Sequence, residues 1–543
     1  MDFAVRTLGP YTAPTVPRRL AHVRPPRSTL PGLMALALGC AEAPTVGPAV
    51  AEVPAPVADQ APPADECPAS GVAPPQMPRT RPEHETLGYW LVRTAEVADL
   101  DRPVLTAAEV KALNARAFSD AVMGFGNRVD LRAPVDVAVL ASGLRARLGF
   151  LRERFTTGKY VRLDGTPLPT ELQARYAADI TPEALAEGMR APLLSPRTGP
   201  QGQVAKDSPA RSRPDDPRGG ARAGDTTPEL RVALDLIPIY CGPQTEPYYT
   251  PSRDPEFDRN MCSMARPQEV VQVLRPWDGD LVLARTSYVV GWIDGRSAAL
   301  SPPLAPAEVR AFLDGPYRRV GRDVNLALEG GGVQALPFAS LVPRAPGEPG
   351  RVLVATAAGV RAAAGDDPAL ADSPRPLTRR ELLTEAFAYL GQRYGWGDRL
   401  GGRDCSRYLM DLFAGLGVLL PRHTSDQALA GSYVVDVPPE LPEPARQLLL
   451  DEHLRRGIVL LHFPGHIMLY LGRDADGAAM AIHSFAEYLV PCAGRPEDAP
   501  AGERETLLKV DGVHVSDLEL GRGTSRTAFI QRITKITVLG PTR

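Results

Sequence analysis

Cys405 is the residue of this chain best placed for nucleophilic chemistry. It stands in Gly401-Gly402-Arg403-Asp404-Cys405-Ser406-Arg407-Tyr408-Leu409. Beyond it, Leu409, Leu412, Phe413 and Leu416 repeat at the i, i+3, i+4, i+7 spacing of a buried helix face. That spacing predicts a helix beginning at Cys405 behind a glycine-rich turn, weakened at Gly415 and Gly417 and ended by Pro421. A thiol at a helix start meets exposed N–H groups and the positive end of the helix dipole, which favour the thiolate and can hold a developing oxyanion. A cysteine nucleophile also needs a base and a group to orient that base. His466 opens a predicted strand in Gly465-His466-Ile467-Met468-Leu469-Tyr470-Leu471, and His483 lies in the next, Met480-Ala481-Ile482-His483-Ser484. A turn at Asp474-Ala475-Asp476-Gly477 joins the two, so adjacent strands would set the imidazoles side by side. His462 and His466 are four apart, but Pro464-Gly465 forbids the helix that would align them on a metal. No metal or organic cofactor is expected.

These residues need a framework. From 377 to 543 helix and strand signals alternate, and this stretch holds six of the eight histidines: 423, 453, 462, 466, 483 and 514. Upstream, 229–300 and 301–365 read as two small β-barrels, with strands at Val270–Leu274, Asp280–Arg285 and Ser287–Ile293 and a second cluster from Asp323 to Val354. Residues 86–195 read as helical: one helix opens at Ala107 after the cap Thr106, and another runs from Val137 to Phe155 with leucines at 140, 144, 148 and 151. Residues 196–228 are a Pro-, Gly-, Arg- and Asp-rich linker, expected to be disordered.

The C-terminal segment resembles the NlpC-type family of papain-like bacterial cell-wall endopeptidases. The matching residues are Tyr394-Gly395-Trp396-Gly397, Asp404-Cys405-Ser406, Leu420-Pro421-Arg422, Gly465-His466 and Ile482-His483. The resemblance implies an α+β papain-like domain, with Cys405 as nucleophile, His466 as general base and His483 as the third polar residue. It implies that Asp404, Ser406 and Trp396 lie in the substrate groove. The upstream part looks like multidomain members with a helical N-terminal region and two bacterial SH3-like barrels. Those members prefer stems with a free N-terminal L-Ala, cleaved between γ-D-Glu and diaminopimelate or Lys. Two positions depart from the family pattern: Arg407 stands where a glycine usually follows Asp-Cys-Ser, and Asp398 where a second glycine commonly follows Trp-Gly. A non-catalytic peptidoglycan-binding protein, or a papain-like amidase or acyltransferase on another amide, are the competing readings.

Composition bounds the remainder. With 61 Lys+Arg against 64 Asp+Glu in 543 residues, the chain lacks the basic excess of a nucleic-acid-binding protein. Residues 1–40 read as an export signal: Arg18, Arg19, Arg24 and Arg27 precede the apolar run Leu30–Gly39, which ends at Cys40 in a pattern like a lipoprotein lipidation box. Residues 41–85, with 11 Pro and 10 Ala, then form an extended tether. The expected location is the cell envelope, with membrane contact through a lipid on Cys40 and murein stem peptides as the partner. Cys241 and Cys262, 21 apart in the first barrel, are candidates for a pair in an exported chain, a pairing the sequence leaves open, and Cys67 and Cys492 have no assignment.

Overall fold

The computed structural model describes residues 67, 71–72, 76–119, 128–171, 174, 176–177, 180–190, 229–492 and 501–542. The export signal with Cys40, residues 41–66, 68–70 and 73–75 of the tether and the 196–228 linker lie outside the described residues. The described end of the tether is packed and not an extended arm: Cys67 is bonded to Cys492, Gly71–Val72 adds a strand to the C-terminal sheet, Met77 and His84 are buried, and Arg79 pairs with Asp517 at 2.7 Å.

The C-terminal half is built on one sheet. Its strands are β15 (Tyr433–Asp436), β16 (Ile458–Phe463), β17 (His466–Arg473), β18 (Ala479–Pro491), β19 (Glu505–Asp517) and β20 (Lys535–Leu539), joined at the edge by the short β1 (Gly71–Val72). The order is β1-β19-β18-β17-β16-β20-β15, antiparallel throughout except for β1 beside β19. β16 is buried at every position because both faces of the sheet are covered. Its side chains alternate between two cores, as the twofold period of a strand requires. Ile458 and Leu460, with Ile467, Leu469, Met480 and Ile482 of the neighbouring strands, face one core. Val459, Leu461, Met468, Tyr470 and Ala481 face the other.

The first core is closed by helices. Using labels in chain order, they are α1 (Leu87–Ala95), α2 (Ala107–Ser119), α3 (Val137–Thr156), α4 (Pro182–Arg190), α5 (Pro306–Asp314), α6 (Arg379–Phe387), α7 (Cys405–Ala414), α8 (Thr424–Gln427), α9 (Glu443–Arg456), α10 (Ala501–Arg504) and α11 (Phe529–Arg532). Tyr408, Leu409, Leu412 and Phe413 of α7 pack beside Leu382 and Ala386 of α6, Trp90 of α1 and Leu113 of α2. The N-terminal helical stretch therefore serves two hosts. α1 and α2 complete the core of the C-terminal domain, whereas Leu140, Leu144, Leu148 and Leu151 of α3 pack on Leu274, Leu283 and Trp292 of the first β-module. α2 starts where the sequence predicts, with Glu109 N–H donating to Thr106 Oγ1 at 3.3 Å and the Thr106 N–H donating back to the Glu109 carboxylate at 2.7 Å.

The first β-module is a six-stranded sheet of β2 (Glu229–Val232), β3 (Ile237–Tyr240), β4 (Met261–Ala265), β5 (Val270–Pro276), β6 (Leu281–Arg285) and β7 (Val290–Asp294), in the order β2-β5-β6-β7-β3-β4. Trp292 is fully buried in it. The second spans β8 (Tyr317–Val320), β9 (Val324–Ala327), β10 (Val333–Leu336), β11 (Leu341–Pro343), β12 (Arg351–Thr356), β13 (Gly359–Ala364) and β14 (Leu370–Ser373). It extends past the strand cluster visible in the sequence because β8 (Tyr-Arg-Arg-Val) and β14 (Leu-Ala-Asp-Ser), which pair with each other, carry no apolar alternation. Disulfides join Cys241 to Cys262 inside the first module, and Cys67 to Cys492 across 425 residues. No described helix is long and apolar enough to cross a membrane.

Candidate active site

α7 begins at Cys405, as the apolar stripe predicts. Asp404 is its N-cap, accepting the Arg407 N–H at 2.8 Å. Gly402 is forced on the preceding turn by close backbone approach, because a side-chain carbon there would sit 2.6 Å from the Tyr394 carbonyl oxygen. The resulting turn sets the start of α7 against β17 and β18. Ser484 of β18 donates to the Arg403 carbonyl at 2.6 Å, and the Ile467 N–H of β17 hydrogen-bonds the Cys405 sulfur. Ile467 directly follows His466, so the thiol is hydrogen-bonded to the residue next to the one that carries the imidazole.

His466 and His483 lie side by side on β17 and β18. His466 Nε2 is 2.8 Å from His483 Nδ1, and His483 Nε2 is 2.8 Å from Ser516 Oγ on β19. Two sets of tautomers satisfy this line, and in the one that leaves His466 Nδ1 without a proton, His466 Nε2–H donates to His483 Nδ1 and His483 Nε2–H donates to Ser516. In that set His466 Nδ1 is a free acceptor. Ser516 was not anticipated; it lies 33 residues beyond His483, on a strand whose pairing register no local pattern announces.

The surroundings of the imidazoles are aromatic. Phe485 stacks on His483 with ring centroids 4.1 Å apart, and Phe463 and Phe529 lie 5.3 and 5.9 Å from His466. Burial, then the nearby Arg532 and His462, push His466 down to about 3. His483, fully buried beside His466 and His514, is also held well below the ordinary histidine range. Both rings are neutral at physiological pH.

The surroundings of Cys405 are charged. Arg422 donates to both oxygens of Asp404, at 2.7 and 3.0 Å, to Asp398 at 3.1 Å, and to Ser406 and Ser263 at 2.9 Å each. Arg407 reaches Asp411 at 2.7 Å, the Tyr288 hydroxyl at 2.8 Å and Glu269. Arg403 holds the other oxygen of Asp411 at 2.7 Å. Burial would raise the Asp404 carboxyl, but Arg422 and the hydrogen bonds from Arg407 and Ser406 hold it below its ordinary value.

This arrangement corrects the expected thiolate. Burial first, and the Asp404 carboxylate second, push Cys405 up to about 12, against the opposing Ile467 N–H, Arg422 and Ser406 N–H. A helix-end dipole worth about half a charge does not outweigh desolvation together with an adjacent full anion. Cys405 is the free cysteine among the described residues.

The resemblance implied that Asp404 and Ser406 contact substrate, but the structure gives their polar atoms internal partners. Asp404 carries Arg422 and the α7 cap, and the Ser406 hydroxyl donates to Asp404 at 3.0 Å while accepting from Arg422. Trp396 is half-buried where the first β-module meets the domain, with the Arg259 guanidinium 4.1 Å from its ring centroid. The two departures from the family pattern, Arg407 and Asp398, are both buried and face each other at 3.6 Å. Asp398 accepts from Ser263 of β4 at 2.7 Å, and Arg407 reaches Glu269 and Tyr288, so both tie α7 to the first β-module. Arg422 stands in the Leu-Pro-Arg motif, which is the one signal that could have marked its importance.

Residues 391–488, the stretch containing Cys405, His466 and His483, match the model of the NlpC/P60 family. No curated protein matches the chain. Among solved structures, an NlpC/P60 endopeptidase from Photobacterium damselae subsp. piscicida is similar over 83% of this chain and 97% of its own, at 15% identity and a TM-score of 0.56, which establishes a shared fold. An NlpC/P60 family protein from Bacillus cereus aligns over 57% of this chain and 100% of its own, at 16% identity and a TM-score of 0.37. The helix start bearing the thiol, the strand pair bearing the imidazoles and the matched segment coincide: residues 391–488 carry the NlpC/P60 family pattern within the C-terminal domain.

Proposed function

We propose that the protein is a cysteine endopeptidase that hydrolyses the γ-D-glutamyl–diamino acid bond of peptidoglycan stem peptides. The observation that carries this reading is the Cys405 sulfur hydrogen-bonded to the Ile467 N–H, one residue after His466, with His466 paired to His483 and His483 to Ser516, inside a segment that matches a family of cysteine peptidases.

Thiol and imidazole both rest neutral. The Cys405 proton passes to His466 Nδ1 as the sulfur attacks the γ-D-glutamyl carbonyl. N–H groups at the start of α7 hold the oxyanion. The imidazolium then gives that proton to the departing amine, leaving a thioester on Cys405. Water, deprotonated by His466, adds to the thioester and releases the acid and the thiol. His483 accepts the His466 Nε2–H throughout, which keeps Nδ1 open toward sulfur, and Ser516 fixes His483 in the same way.

The two β-modules would serve as SH3-like domains that wall the groove. Two disulfides in a chain with an export-like leader suit an oxidising compartment, consistent with work in the cell envelope and anchoring through Cys40. The test is digestion of purified muropeptides followed by mass spectrometry. The expected products are L-Ala-D-Glu and a fragment beginning at the diamino acid. Cleavage only at another amide would replace this reading with the amidase one, and no cleavage with an inert thiol would replace it with a binding protein.

A further inference from the structure

Arg532 is a cation without an acid. It ends α11, and its guanidinium lies 4.0 Å from the centroid of the Phe463 ring and 5.5 Å from that of Phe529. Burial, then repulsion from Arg526, pull it down to about 10, and no carboxylate opposes them. The other cations of this region are matched: Arg526 by Glu487 at 3.1 Å, Arg522 by Glu443 at 2.6 Å, Lys535 by Asp436. Arg532 makes neither an ion pair nor a side-chain hydrogen bond among the described residues. A guanidinium resting on aromatic rings keeps its N–H donors at its edge, in the fork that fits a carboxylate.

Its position says which carboxylate. Phe463 and Phe529, the two rings under Arg532, are the same rings that flank His466. In the reaction proposed above His466 delivers the proton to the departing amine, so the residue that leaves comes up to the imidazole that these two rings flank. We propose that Arg532 binds a carboxylate of the leaving residue and makes the enzyme select for an acidic one. This rests on the endopeptidase reading above. The partner is either the backbone carboxylate of a terminal diamino acid or the side-chain carboxylate that diaminopimelate has and Lys lacks.

The test measures kcat/KM for wild type, Arg532→Ala and Arg532→Lys on the stem tripeptide ending in diaminopimelate, on its two singly amidated forms and on the doubly amidated form. Wild type is expected to lose about ten- to a hundredfold on amidation, the usual effect of removing a charge-assisted hydrogen bond. Arg532→Ala is expected to lose as much on the acid and nothing more on the amides, with Arg532→Lys between. The singly amidated forms show which carboxylate is held. The acid-to-amide ratio is read within one preparation, so any loss of folded protein cancels. An equal ratio in wild type and Arg532→Ala overturns the proposal. Binding of the same peptides to Cys405→Ala, with and without Arg532→Ala, separates the two claims. Arg532-dependent preference for the acid without cleavage by wild type would sink the endopeptidase reading alone, and cleavage without that preference would sink this inference alone.

Discussion

The two halves of the candidate site are built from opposite materials. Around Cys405 lie Arg422, Asp404, Asp398, Arg407, Asp411 and Arg403, a buried lattice of ion pairs. Around His466 and His483 lie Phe463, Phe485 and Phe529, and the nitrogens that pair do so with each other and with a hydroxyl. The charged half does not activate the thiol, because its nearest anion, Asp404, works against ionisation. Its work is mechanical: Asp404 caps α7, and Arg422 ties that cap to Asp398 and Ser263. The apolar half keeps two imidazoles neutral and lined up.

The comparison is broken most severely at Arg422. Arg422→Met leaves Asp404 buried without its cation and Asp398 with only the more distant Arg407, and should cost about 3–5 kcal/mol of stability, read as a lower denaturant midpoint. A midpoint unchanged from wild type would show that the lattice does not hold the helix start. On the apolar side, His483→Ala should spare the fold and lower kcat about a hundredfold, because His466 loses the partner that sets its tautomer. The reverse pattern, with unfolding at His483 and only lost turnover at Arg422, would invert the assignment of the two halves.

A pH profile sharpens the contrast. With the thiol at about 12 and His466 at about 3, alkylation of Cys405 by a neutral reagent should speed up roughly tenfold per pH unit from pH 6 to 9. A rate already level at pH 6 would mean a preformed thiolate–imidazolium pair, and the charged half would then be an activator after all. The smallest effect is expected at Ser516→Ala. Losing one neutral hydrogen bond there should lower kcat about fivefold, since His483 remains stacked on Phe485.

Much of this was legible in the sequence, for reasons that differ between residues. Cys405 announced itself through the apolar stripe of α7, and the histidine strands through short apolar runs with a turn between them. What escaped is what long-range geometry decides. Ser516 reaches His483 only through the register of β18 on β19. Cys67 meets Cys492 from the far end of the chain, so no spacing hinted at the pair. α1 and α2 read as part of one helical region, yet Trp90 and Leu113 fill the core behind α7, because an amphipathic stripe shows that a partner exists without naming it. The raised thiol was missed for a related reason: a helix-end position is visible in sequence, but the desolvation that overrides it is not.

The central claim is that Cys405 carries the acyl half of a stem peptide during turnover. Rapid acid quenching with excess substrate, followed by peptide mapping, tests it most directly. The account predicts an added L-Ala-γ-D-glutamyl mass on Cys405 alone, and neither adduct nor cleavage in Cys405→Ala. Undiminished cleavage by folded Cys405→Ala would contradict it.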